Sequence, residues 1–141
     1  MIEDISMDLY RTVCGFQKNE ITEFYIYKML ADKELDENRK QILLKIANDE
    51  KKHYDFWMYF SKKKFNPSYF KILKFKVLSA IRGEIFCLKL MERAEQHAQV
   101  LYSDMLMNIP DAKKVLNDEN EHELQLIELL KAYKLVKKFK L

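Results

Sequence analysis

Only two glycines and two prolines interrupt the 141 residues of this chain. Tight reversals are commonly built from these residues, whereas long helices keep both out of their interiors. The composition therefore points to an all-α fold made of long helices. The 48% hydrophobic content is enough for a packed core and argues against disorder. At this length the chain reads as a single domain over residues 1–141.

Periodicity locates the helices. Val13, Phe16, Glu20, Phe24, Tyr27 and Ala31 recur at spacings of three and four, which predicts a helix from about Asp8 to Asp32. The charged stretch Lys33–Asn38 reads as a short loop. Ile42, Ile46, Glu50, His53, Trp57 and Phe60 form the stripe of a second helix, from about Glu37 to Ser61. After a connection at Lys62–Pro67, the segment Ser68–Ser79 is rich in Lys and aromatics and reads as a helix of its own. A further helix is expected from about Ala80 to Asn108, with Leu78, Ile81, Ile85, Leu88, Glu92, Glu95, Gln99, Tyr102 and Leu106 as its seam. Pro110 suits the first turn of the last helix. That helix carries Ala112, Val115, Glu119, His122, Leu126, Leu129 and Tyr133 on one face. One long connection among short ones is the topology of a ferritin-like four-helix bundle with an extra helix in its crossover, the alternative being a simple up-and-down bundle with an extra surface helix.

The chemistry lies in a repeat. Asn48-Asp49-Glu50-x-x-His53 recurs as Asn117-Asp118-Glu119-x-x-His122, once on each of two helices. In both copies Glu and His sit on the apolar stripe, where a lone ionisable group is costly. At a spacing of three they lie one above the other and can share an ion. The other two helices place Glu20 and Glu95 on their stripes, each followed seven residues later by a tyrosine, Tyr27 and Tyr102. With 13 Glu and three His, roughly 0.3 chance Glu-x-x-His matches are expected, so two with a shared prefix are unlike coincidence. Four carboxylates and two imidazoles are the ligand set of a di-iron or di-manganese carboxylate site.

These residues resemble the rubrerythrin branch of the ferritin-like superfamily. They are most similar to the rubrerythrin-like domain found ahead of vacuolar-iron-transporter-type membrane proteins. The stretches that carry the likeness are Gln17-Lys18-Asn19-Glu20-Ile21-Thr22-Glu23, Asn48-Asp49-Glu50-Lys51-Lys52-His53-Tyr54, Lys89-Leu90-Met91-Glu92-Arg93-Ala94-Glu95 and Asp118-Glu119-Asn120-Glu121-His122-Glu123, and it covers about Gln17 to Leu130. The resemblance implies two iron ions, with manganese or zinc as substitutes. It implies Glu20 and Glu95 as terminal ligands, Glu50 and Glu119 as bridging carboxylates, and His53 and His122 as nitrogen ligands. Glu92, one turn before Glu95, resembles the second acid that enters the site on oxidation, and spacing alone leaves the roles of these two open. Asp49 and Asp118 would orient the imidazoles, and Tyr27 and Tyr102 would hydrogen-bond the terminal Glu. Glu23 reads as a solvated neighbour of Glu20, and His97, off the stripe, as a surface or interface residue.

The implied activity is oxidation of ferrous iron by oxygen or hydrogen peroxide, in the manner of a ferroxidase or peroxide reductase. The alternative is an iron-binding or sensing module that delivers iron to a membrane iron-transport domain. A homodimer is the implied assembly. Cys14 and Cys87 are too few for the four-thiolate iron site that feeds electrons in a full rubrerythrin, so an external electron donor is expected. Two isolated cysteines and an acidic, mixed start fit a cytoplasmic location. A net charge of +3 is too small to argue for nucleic acid, and the lysine clusters Lys62–Lys64 and Lys131, Lys134, Lys137, Lys138 and Lys140 read as solvated. Tyr69, Phe70, Leu73, Val77 and Leu78 can share one face of the Lys-rich helix. Such a face is expected to be buried against the bundle or a second copy, with anionic lipid as the alternative.

Overall fold

The computed structural model describes residues 6–139, with side chains described through residue 135. The first five residues and Lys137, Lys138 and Lys140 thus lie outside the described side chains. The described residues are helical, without strands. The helices are α1 (Met7–Lys33), α2 (Glu37–Ser61), α3 (Tyr69–Arg82), α4 (Glu84–Met105) and α5 (Ala112–Phe139). The chain divides into two compact units, one ending at Lys76 and the other beginning at Val77. The first holds the α1–α2 hairpin and most of α3; the second holds the end of α3 and the α4–α5 hairpin.

Local chemistry explains the ends of α1 and α2. Ser6 caps α1 by accepting from the Leu9 amide at 3.2 Å, and Asp36 caps α2 by accepting from the Arg39 amide at 2.9 Å. Between them, in the charged loop, Glu34 is buried. Its Oε1 accepts from the Asp36 amide at 3.0 Å and from Arg39 Nε at 3.2 Å, and the chain turns around this carboxylate. Lys62 ends α2 in the left-handed region, at φ 59°.

In the first unit, Val13, Phe16, Ile26 and Leu30 from α1 and Leu43, Ile46 and Trp57 from α2 are buried. The Phe16 and Trp57 rings lie 5.2 Å apart, and full burial of such side chains stabilises by about 1.5–3 kcal/mol each. The Lys62–Ser68 connection is stitched to this hairpin. Gln17 Nε2 donates to the Lys63 carbonyl at 2.7 Å, and Ser61 Oγ donates to Gln17 Oε1 at 2.5 Å. The Phe65 amide donates to the Tyr54 hydroxyl at 2.8 Å, and the Ser68 amide to Thr22 Oγ1 at 2.9 Å. In the second unit, Cys87, Leu88, Met91, Tyr102 and Met105 from α4 and Val115, Leu126 and Leu129 from α5 are buried.

Two expectations are corrected. The helix expected from Ala80 starts only at Glu84, because Gly83 adopts φ 88° and ψ 171° and breaks the run, leaving Leu78 and Ile81 in α3. Pro110 precedes α5 rather than opening it: Ile109 and Pro110 carbonyls accept from Ala112 and Lys113 in tight turns, and the helix begins at Ala112. The chain itself does not cover the α3 face expected to lie against the bundle or a second copy. Tyr69, Phe70, Leu73 and Val77 are exposed, and it is Phe75 and Ser79 that are buried.

Candidate functional site

Each unit carries one buried triad of ligand-type side chains. In the first, Glu20 of α1 meets Glu50 and His53 of α2. All three are at most 3% exposed. His53 Nδ1 lies 3.5 Å from Glu20 Oε2 and 3.6 Å from Glu50 Oε1. In the second, Glu95 of α4 meets Glu119 and His122 of α5, all buried. His122 Nδ1 lies 3.6 Å from both Glu95 Oε1 and Glu119 Oε1. The two arrangements agree to 0.1 Å in these distances.

The sequence produces this locally. A Glu and a His three residues apart stand on adjacent turns of one helix face, here the core face of α2 and of α5. The neighbouring helix of each hairpin adds one Glu at the same level. Tyr27 and Tyr102 are buried one face-repeat further along α1 and α4.

The spacings suit a metal ion. An N–H···O hydrogen bond spans about 2.7–3.2 Å, shorter than these separations. Two donors about 2.0–2.2 Å from one ion lie about 2.8–3.6 Å apart at octahedral to tetrahedral angles. Within each triad the potential donor atoms are within 4.8 Å of one another. Two carboxylates and one imidazole form a hard, anionic donor set fit for a divalent cation. Each triad can therefore hold a metal ion.

Of the acids singled out from the sequence, Glu92 stands apart. It is half-buried, and its Oε1 accepts from Gln96 Nε2 at 3.0 Å on the helix surface. Glu95, one turn on, is fully buried beside His122. Glu23 is buried rather than solvated, yet it is not part of the triad. His97 is exposed. Asp49 and Asp118 occupy matching places, paired with Lys45 Nζ at 3.1 Å and Lys114 Nζ at 3.2 Å.

Those lysines were missed from the sequence, although the signal was there. Lys45 and Lys114 each stand four residues before the Asp, so the repeat is longer: Lys-x-x-Asn-Asp-Glu-x-x-His. Each Lys pairs with a largely buried Asp four residues on, one residue before the buried Glu. No family model matches the chain, and no curated protein or solved structure is significantly similar to it.

Proposed function

We propose that the two triads together form one di-iron carboxylate centre of ferritin-like type, which oxidises ferrous iron with oxygen or hydrogen peroxide. The observation that carries this is the duplicated buried triad, Glu20/Glu50/His53 and Glu95/Glu119/His122. Four carboxylates carry four negative charges, and two ferrous ions balance them. Burial of uncompensated charge is otherwise strongly unfavourable. Three donors are also fewer than iron commonly takes, so a carboxylate shared by both ions completes each set. Glu50 and Glu119, in the Glu-x-x-His motifs, would be the shared carboxylates, and Glu20, Glu95, His53 and His122 would each hold one ion.

When bound, an iron pair would supply two electrons, one from each ion, which with two protons suffice to take hydrogen peroxide to two waters. The chain's own residues set the conditions. The carboxylate oxygens favour the ferric state, the imidazoles keep ferrous iron bound, and the buried setting limits water at the site. In this reading Glu92, which bonds Gln96 at the helix surface, would be the second acid that enters on oxidation. Turnover calls for an external electron donor.

The test is anaerobic ferrous titration of the chelator-treated protein, followed by mixing with hydrogen peroxide. About two irons bind per chain, and about two ferrous ions are consumed per peroxide, as paired sites require. Glu50→Ala and Glu119→Ala each lose most of both ions. Loss of one ion only in each variant would show two independent mononuclear sites. Bound iron that stays ferrous in both oxidants would favour the iron-delivery module instead.

A further inference from the structure

Helix α3 carries an apolar face that the chain leaves open. Phe70 is 79% exposed and Ile81 73%, with Tyr69, Leu73 and Val77 also exposed. At about 100° per residue these five side chains fall within one arc of about 120°. The exposed Ala80 lies inside the same arc, and no polar residue does. Lys76 borders the arc on one side and Lys74 on the other, both exposed. The opposite side holds the buried Phe75 and Ser79. The helix is thus apolar on two sides, only one of which is covered by the chain.

Contiguous exposed apolar surface on a helix marks a binding face. Charge identifies the occupant. Lys71, Lys74, Lys76 and Arg82 give α3 four cations, and it contains no acid. The three exposed lysines Lys62, Lys63 and Lys64 lie shortly before it. The helix also opens onto a groove where Tyr25, Tyr69 and Ile72 lie among Lys28 and Lys33, with Asp32 as its one acid. A second copy docked on this face by two-fold symmetry would set the bordering lysines Lys74 and Lys76 against those of its mate, with no acid on either helix to offset them. An anionic lipid surface matches both features. Tyr69, Phe70, Leu73, Val77 and Ile81 enter the acyl boundary, while the bordering lysines extend to the headgroups.

We propose that α3 is an interfacial anchor that lays this chain on an anionic membrane surface. No helix of the described residues is long and apolar enough to cross a membrane, so the helix lies in the interface plane. This is independent of the metal proposal, since no triad residue is on α3.

The test is co-sedimentation of the full chain with vesicles of phosphatidylglycerol and phosphatidylcholine, against vesicles of phosphatidylcholine alone. Binding is expected to the first and not the second, and to weaken in high salt as surface charge is screened. Lys74→Glu with Lys76→Glu should lower the partition coefficient by about tenfold or more, since each cation near such a surface contributes about fivefold. Phe70→Ser with Leu73→Ser should abolish binding with the far-ultraviolet circular dichroism unchanged. A Phe70→Trp variant provides a direct reading, because its emission should shift to the blue on anionic vesicles. Absence of binding to anionic vesicles overturns the proposal, and so does equal binding to neutral ones. A wild-type dimer that Phe70→Ser with Leu73→Ser dissociates, without vesicle binding, assigns the face to a second copy.

Discussion

Replacing Glu50 by glutamine separates what the triad does for the fold from what it does for metal. The substitution keeps size and hydrogen-bonding capacity and removes one buried charge. Glu20 and Glu50 donor atoms lie within 4.8 Å, so their carboxylates repel by about 3.5 kcal/mol at an effective dielectric constant of about 20. A protonated His53 at 3.6 Å would attract Glu50 by about 4.6 kcal/mol on the same scale. These nearly cancel, whereas taking the carboxylate out of water costs several kcal/mol. Glu20 and His53 remain as a pair 3.5 Å apart in the variant. The metal-depleted variant is therefore more stable than metal-depleted wild type, by about 2 kcal/mol, or roughly 6–10 °C in melting temperature for a chain of this size. With zinc or anaerobic ferrous iron the order reverses, because the variant has lost a ligand and with it most of the stabilisation by binding. Thermal melts followed by circular dichroism, with chelator and with metal, check both signs. Glu92→Gln is the control and should move neither melt by more than about 0.5 kcal/mol. A metal-depleted Glu50→Gln protein less stable than wild type, or one that gains as much from metal, would refute the reasoning.

Three further outcomes are expected. Glu95→Ala should lose ferrous iron while Glu92→Ala retains it, since Glu95 is buried beside His122 and Glu92 bonds Gln96 at the surface; iron analysis of anaerobically loaded protein decides. Ser61→Ala should cost about 1–3 kcal/mol in urea denaturation, because it takes the 2.5 Å donor from the buried Gln17 carbonyl oxygen. Gly83→Ala should cost about 1–3 kcal/mol by the same measurement. An added Cβ there meets nothing within 4 Å, so the whole effect is backbone strain at φ 88°, and an unchanged stability would show that the α3–α4 joint relaxes freely.

The sequence made α2 legible because its stripe runs unbroken to Phe60, while the cap at Asp36 emerged only from the structure. The two Glu-x-x-His motifs were legible for the same reason that they are buried: they interrupt an apolar face with charge. Periodicity failed at Gly83. Leu78, Ile81 and Ile85 keep helical spacing across it, and spacing carries no information about a positive φ. It also left Glu92 and Glu95 undecided, because residues one turn apart project from one face and only packing tells which of them is covered. In α3 the same ambiguity hid the outcome. Its apolar residues surround much more than one face, and Phe75 won the place against the chain while Phe70 and Leu73 remained outside. Glu34 shows the opposite case, a charge in a charged loop that is buried because the turn folds around it.

The hydrogen bonds that tie the Lys62–Ser68 connection to Gln17, which donates, and to Tyr54, Ser61 and Thr22, which accept, have a kinetic consequence. Irregular segments ordinarily exchange their amide protons fast, because opening them breaks little. Here the amides of Phe65 and Ser68 donate to side chains rooted in α2 and α1, so releasing them means loosening the hairpin itself. Their protons should exchange on the time scale of helix amides. The neighbouring Lys62, Lys63 and Lys64 present three exposed trypsin sites on a segment too firmly held to enter the protease cleft, so cutting there would be slow and would report the opening of α1 from α2.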